Sequence, residues 1–250
     1  MKSPQPAWKS TLMTGGVIAA GIFIGLLLAS GVPALKTRVA VFRAPGIARE
    51  YLRTHPIRKL QVGAGGVDYP GWLNTDIYPA AGEVYLDLTK RFPVPDGSFQ
   101  YIFGEHVVEH LNYDDGLTML RECYRVLAPG GKIRFATPNL LKYLQLFQDP
   151  KSPEIDSYLN AKLHWHGWPQ ASRRESVILN MEMRSFGHQF LYDPGTLSDR
   201  LTQAGFRMIG EFSPGKSDDP QLRGLEARQY NPPVRPMDDY ETMVLQGVRP

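Results

Sequence analysis

From residue 59 onward, short apolar runs that end in glycine or an acid alternate with stretches of helical spacing. That alternation confines the chain to an α/β domain with a mostly parallel sheet. Lys59-Leu60-Gln61-Val62 leads into Gly63, Gly65 and Gly66, and Trp72-Leu73-Asn74-Thr75-Asp76 ends on an acid. Val84-Tyr85-Leu86-Asp87-Leu88 has an acid near its end, and Tyr101-Ile102-Phe103-Gly104 is a fourth run. Leu117, Leu120, Tyr124 and Leu127 recur at helical spacing until Pro129-Gly130-Gly131, after which Lys132-Ile133-Arg134-Phe135-Ala136 reads as a fifth strand. Asp193 caps a helix with Pro194 in its first position; the helix runs through Leu197 and Leu201 to Gly205. Phe206-Arg207-Met208-Ile209 follows as a strand, and Tyr240-Glu241-Thr242-Met243-Val244-Leu245 is a last strand suited to antiparallel pairing. The expected architecture is a doubly wound, mostly parallel sheet over residues 58–250. Residues 140–190, rich in Trp, His, Arg and Gln and without a clear period, form an insertion or lid.

The N-terminal part is different in kind. Residues 10–35 hold no charge, long enough as a helix to cross a bilayer core about 30 Å thick. Gly15, Gly16, Gly21 and Gly25 suit a membrane helix better than a soluble one. A cleaved signal peptide is the competing reading, with Val32-Pro33-Ala34 as a poor cleavage site. Residues 1–35 are therefore expected to be a transmembrane anchor in contact with membrane lipid, and residues 36–57 a basic connector. Two cations precede the span and seven follow directly, which places the body on the cytoplasmic side as a single-pass membrane protein. With +2 on residues 1–35 and +6 on 36–59, the +3 chain leaves −5 for the rest, so no nucleic-acid partner is expected. A single cysteine, Cys123, excludes an intrachain disulfide and any multi-thiolate metal site.

Ligands of open parallel sheets bind beyond the carboxyl ends of the strands. Three successive ends here carry informative residues. The turn at Gly63 and Gly65 lets backbone amides approach an anion, although the third glycine of a dinucleotide fingerprint would fall at Asp68. Asp76 is placed to accept both hydroxyls of a ribose. Asp87 is placed to accept from an exocyclic amine, with Leu88 packing on the ring. Each acid alone would be an ordinary cap or turn residue.

With these motifs, residues 60–139 resemble the class I S-adenosylmethionine-dependent methyltransferases of the type 11 kind. The more distinctive pieces are Glu105-His106-Val107-Val108-Glu109-His110-Leu111 and Arg121-Glu122-Cys123-Tyr124-Arg125-Val126-Leu127-Ala128-Pro129-Gly130-Gly131. The resemblance implies a Rossmann-like methyltransferase fold and S-adenosylmethionine as cofactor. Gly63 and Gly65 would line its methionine part, Asp76 would hold the ribose, and Asp87 with Leu88 the adenine. Glu105 and His106 would face the cofactor and the substrate pocket. Two departures stand out. Gln61 replaces the usual acid two residues before the first glycine, and only six residues separate Gly66 from Leu73. A parallel crossover generally takes a dozen or more residues, so the first helix must be almost absent.

Methyl transfer mainly demands that nucleophile, carbon and sulfur be held in line, and a hydroxyl nucleophile benefits from a base. His106 is the first candidate base, with His188 reaching toward the methyl group from the insertion. His110 reads as a brace. No metal is assigned, because a histidine arm of His164, His166 and His188 has no carboxylate at ligand spacing. The acceptor is unidentified, and the expected location points to a lipid-linked or envelope precursor. Two other readings remain open: a non-catalytic cofactor-binding module that recruits partners to the membrane, and a nucleotide-dependent oxidoreductase, which the missing third glycine disfavours.

Overall fold

The computed structural model describes residues 35–170, 173–226 and 235–250. The anchor expected over 1–35 lies almost wholly outside them. No helix among the described residues is long and apolar enough to cross a membrane.

Among the described residues, seven strands form one sheet: β1 Lys59–Val62, β2 Leu73–Asp76, β3 Val84–Tyr85, β4 Phe99–Glu105, β5 Leu127–Pro138, β6 Arg207–Phe212 and β7 Thr242–Val248. Their order is β3-β2-β1-β4-β5-β7-β6. Strands β1 to β5 pair in parallel, with Leu60 opposite Leu73 on one side and Ile102 on the other. The expected closing strand is β7, which runs antiparallel between β5 and β6.

Helix α1 spans 35–54, within the segment read as a basic connector, and from residue 44 on it contributes Ala44, Ala48 and Tyr51 to the main core. Helix α2, Tyr113–Val126, starts where the Asn112 side chain accepts the amides of Asp114 and Asp115. Helix α6, Pro194–Ala204, is capped by Asp193 and stopped by Gly205 at φ 113°, as the sequence foretells. These three helices pack on one face of the sheet, where Leu60, Leu73, Ile102 and Ile133 meet Met119, Cys123, Leu197 and Leu201. The Cys123 thiol is fully buried, and burial pushes its pKa up, which leaves it inert as a nucleophile.

The second helical layer of a doubly wound sheet is where the structure departs from expectation. Right-handed crossovers running β1 to β2 to β3 would place helices on the opposite face. The connections at 63–72 and 77–83 are too short to contain any. That face is covered instead by the chain around 213–226, where Leu222 and Leu225 pack on Trp72 and Phe103. Buried Arg134 of β5 fastens this cover with a bidentate pair to Glu226, at 2.5 and 2.6 Å, and donates to the carbonyl of Lys216.

Residues 140–190 are mostly helical: α3 Leu140–Gln148, α4 Pro153–His166 and α5 Glu175–Arg184. With α7, Arg235–Glu241, they enclose a core of their own, in which Tyr143, Ile155, Tyr158, Ile178 and Tyr240 pack together. At its centre Lys162 Nζ lies 2.7 Å from Glu182 Oε1 and 2.8 Å from Glu241 Oε2, all three residues being buried. Tyr143 donates to both carboxylates and Tyr158 donates to Glu241. Burial and the neighbouring Glu241 raise the Glu182 carboxyl pKa, against the pull of Lys162. Removing the cation leaves two carboxylates in a dry core. Lys162→Met is expected to cost about 3–5 kcal/mol in denaturant unfolding; a loss below about 1 kcal/mol, in the range of an exposed pair, would disprove this network.

Candidate functional site

The site is assembled at the carboxyl ends of the parallel strands. After Val62 the chain turns through Gly63 (φ 66°), Gly65 (φ 57°) and Gly66 (φ 87°), conformations that favour glycine. At Gly63 a side chain has no room, since a Cβ would stand 2.3 Å from Val107 Cγ2. Gly65 and Gly66 meet nothing within 4 Å, so their surface is open to an incoming group.

Asp76, at the end of β2, reaches across to this turn. Its Oδ2 accepts the Gly65 amide at 3.0 Å and its Oδ1 accepts the Tyr78 amide at 2.8 Å. Glu83 does the same from the other side, accepting the amides of Gly66 and Ala80, both at 2.7 Å. The sequence offered no periodic signal for Glu83. The crossover is further pinned by a short bond between Asn74 and Asp68, and by the Tyr51 hydroxyl donating to the Gly71 carbonyl at 2.9 Å.

Asp87 lies past β3 with Oδ1 accepting both the amide and the hydroxyl of Thr89. Leu88 is 9% exposed and joins the main core beside Leu86 and Phe92. Gln61, in place of the usual acid, is 2% exposed on the strand leading into the glycines.

Beyond β4 the elements converge. Glu105 ends the strand, 5% exposed. His106 follows at φ 48°, its amide bonded to the Ala136 carbonyl at 2.9 Å. A single 3-10 turn, Val108–His110, then places Glu109 beneath it. Glu109 has no exposed surface; Oε1 is 3.2 Å from His106 Nδ1, and Oε2 accepts the Thr137 hydroxyl at 2.9 Å. Burial alone would raise the Glu109 pKa, but His106 and His110 outweigh it and hold the carboxyl below its usual value.

The two candidate bases are held differently. His106 pairs with Glu109, whereas His188 stacks edge-on against His110, ring centroids 4.9 Å apart, and its Nδ1 bonds the Glu182 carbonyl at 2.5 Å. Burial lowers the His110 pKa, Glu109 partly restores it, and His188 and His106 lower it further. Glu109 and His110, read from sequence as part of a motif and a brace, are thus central. The doubled Glu-His pair in Glu105-His106-Val107-Val108-Glu109-His110 is the signal from which they could have been found. His164 is exposed and lies outside this group, and His166 stacks on Trp168 and Phe186. A surface cleft of about 480 Å³ lined by Pro45, Arg49, Leu52 and Arg91 shares no residue with it.

Comparison with known proteins places matches on the same stretch. Residues 61–135 match a family model described as a methyltransferase domain. A probable S-adenosylmethionine-dependent methyltransferase of Mycolicibacterium smegmatis is 36% identical over 71 residues, 28% of this chain and 27% of the relative's length. The chain therefore spans about a quarter of that protein. An S-adenosylmethionine-dependent methyltransferase from Mesorhizobium loti aligns with a TM-score of 0.44 at 17% identity, over 79% of this chain and 95% of the other. One from Archaeoglobus fulgidus aligns with a TM-score of 0.43 at 15% identity, over 84% and 92%. The resemblance of residues 61–135 to class I S-adenosylmethionine-dependent methyltransferases rests on the family model and the curated relative.

The two glycines separate crowding from backbone strain. Gly65→Ala should cost about 1 kcal/mol for the left-handed conformation alone. Gly63→Ala adds the collision with Val107, for about 2–4 kcal/mol in all, read as loss of unfolding free energy. Equal losses at the two positions would contradict the close approach of Val107.

Proposed function

We propose that the chain transfers a methyl group from S-adenosylmethionine to an acceptor held near His106. The observation that carries this reading is the joint placement of an open glycine turn and Asp76 at adjacent strand ends, tied by the Gly65 amide. The residues fit the cofactor. A carboxylate has roughly four lone-pair sites, and Asp76 spends two on backbone amides, which leaves capacity for ribose hydroxyls. Asp87 has the same excess for an exocyclic amine.

When bound, the cofactor supplies an electrophilic methyl on a sulfonium. The chain's part is to orient and to move a proton. Glu109, 3.2 Å from Nδ1, favours a proton on that atom of His106, so Nε2 is the position that accepts one from an acceptor hydroxyl. The Thr137 bond and complete burial keep Glu109 in place for that task.

The proposal extends to location. The uncharged run at 10–35 and the seven cations after it support a membrane anchor with the body on the cytoplasmic side. An acceptor carried on a lipid or an envelope precursor follows from that placement.

Calorimetry of S-adenosylmethionine and its demethylated product on the full chain tests the reading. Binding should be measurable and should weaken about ten- to a hundredfold in Asp76→Ala, the worth of hydrogen bonds to a charged group. A wild-type chain that gives no heat with either compound would refute it.

A further inference from the structure

We propose that Glu109, His110 and His188 form a binding site for one divalent transition-metal ion. Each offers a ligand atom, and these atoms lie within 4.8 Å of one another. Bond lengths near 2.1 Å separate tetrahedral ligands by about 3.4 Å, so closure on an ion asks each side chain to draw in by roughly an ångström.

Three further observations support the assignment. The first concerns tautomers. A carbonyl oxygen only accepts, so His188 Nδ1, 2.5 Å from the Glu182 carbonyl, carries the proton, and Nε2 presents its lone pair. Metal-binding imidazoles characteristically have this arrangement, in which the remote nitrogen donates to a carbonyl and fixes the ring.

The second is preorganisation across the sequence. The Glu109 carbonyl accepts the amides of Gln189 and Phe190 at 2.7 and 3.1 Å. The Gln189 side chain in turn donates to the His110 carbonyl at 2.8 Å. The two segments that bear the ligands are thereby sewn together before any ion arrives. The third is accessibility: Glu109 is buried, while both imidazoles keep partial exposure, so an ion and an exogenous ligand have a way in.

Two nitrogens and one carboxylate oxygen suit zinc, iron, manganese or cobalt better than magnesium or calcium, which prefer oxygen alone. Three protein ligands leave at least one position open. On the methyl-transfer reading above, that position would take the acceptor hydroxyl and lower its pKa. The proton passes to His106 Nε2, the oxygen forms the bond to the methyl carbon, and the carbon–sulfur electron pair returns to sulfur. This role rests on that reading; the binding of the ion does not.

The probe is Co²⁺ added to the full chain after chelator treatment, followed by visible absorption and calorimetry. One equivalent should bind with d–d bands that excess Mg²⁺ does not remove. His188→Ala and His110→Ala should each weaken Co²⁺ by at least about tenfold, while His164→Ala leaves it unchanged. Wild-type binding well below one equivalent, displacement by Mg²⁺, or unchanged affinity in both variants would overturn the site. Titration of S-adenosylmethionine on the same proteins shows that the variants are folded and keeps a failure of the metal site distinct from a failure of the cofactor reading.

Discussion

The carboxylate of Glu109 is the point on which the strand ends depend. It has no contact with solvent, and an isolated carboxylate in such a place would neutralise or force the fold apart. It stays ionised because His106 and His110 stand beside it and the Thr137 hydroxyl donates to it. Those partners come from the end of β4, the turn after it and the end of β5. The Glu109 side chain thus ties the ends of β4 and β5 together, while its backbone carbonyl holds the amides of Gln189 and Phe190. The catalytic and metal-binding roles argued above draw on this same group, since it orients one imidazole and stands beside two others.

A second constraint is the brevity of the first crossover. Ten residues, 63–72, carry the chain from β1 to β2 with no helix, and the face they leave bare must still be kept dry. The chain over 213–226 takes that duty. Leu222 and Leu225 supply the apolar contacts, while the Arg134–Glu226 pair fixes the position. A fully desolvated pair of this kind contributes little net stability against an apolar substitute, but losing one partner is costly, so it acts as a locator for the cover. Tyr101 and Lys132 add a second tie, both reaching Asp219.

The strand ends were legible because their chemistry is local: glycine before a turn, an acid closing a short apolar run, Asp193 before Pro194. The missing first helix followed from counting residues alone. The insertion at 140–190 was not legible, and its core shows why. It is closed by buried polar residues, Lys162, Glu182, Glu241, Tyr143 and Tyr158, that hydropathy scores as surface. Its members are distant in sequence, so no periodicity betrays them. The pairing of His110 with His188 has the same character, because 78 positions of chain separate residues that meet ring to ring. Leu88 was read from its place beside an acid, and its share in the core with Leu86 and Phe92 was not part of that reading.

These two concealed features are one device. Glu182 holds the buried Lys162 with its carboxylate and the His188 imidazole with its backbone carbonyl. The orientation of His188 is therefore set by the polar core of the insertion, from the opposite end of the same residue. Burial and Glu241 raise the Glu182 pKa, against the pull of Lys162. A side chain held this way is more rigid than one carried on an exposed loop, which matters for any group that must meet a ligand within a fraction of an ångström. The insertion thus contributes to the site by supporting a ring, and its polar core is where substitutions far from the strand ends would be felt at them.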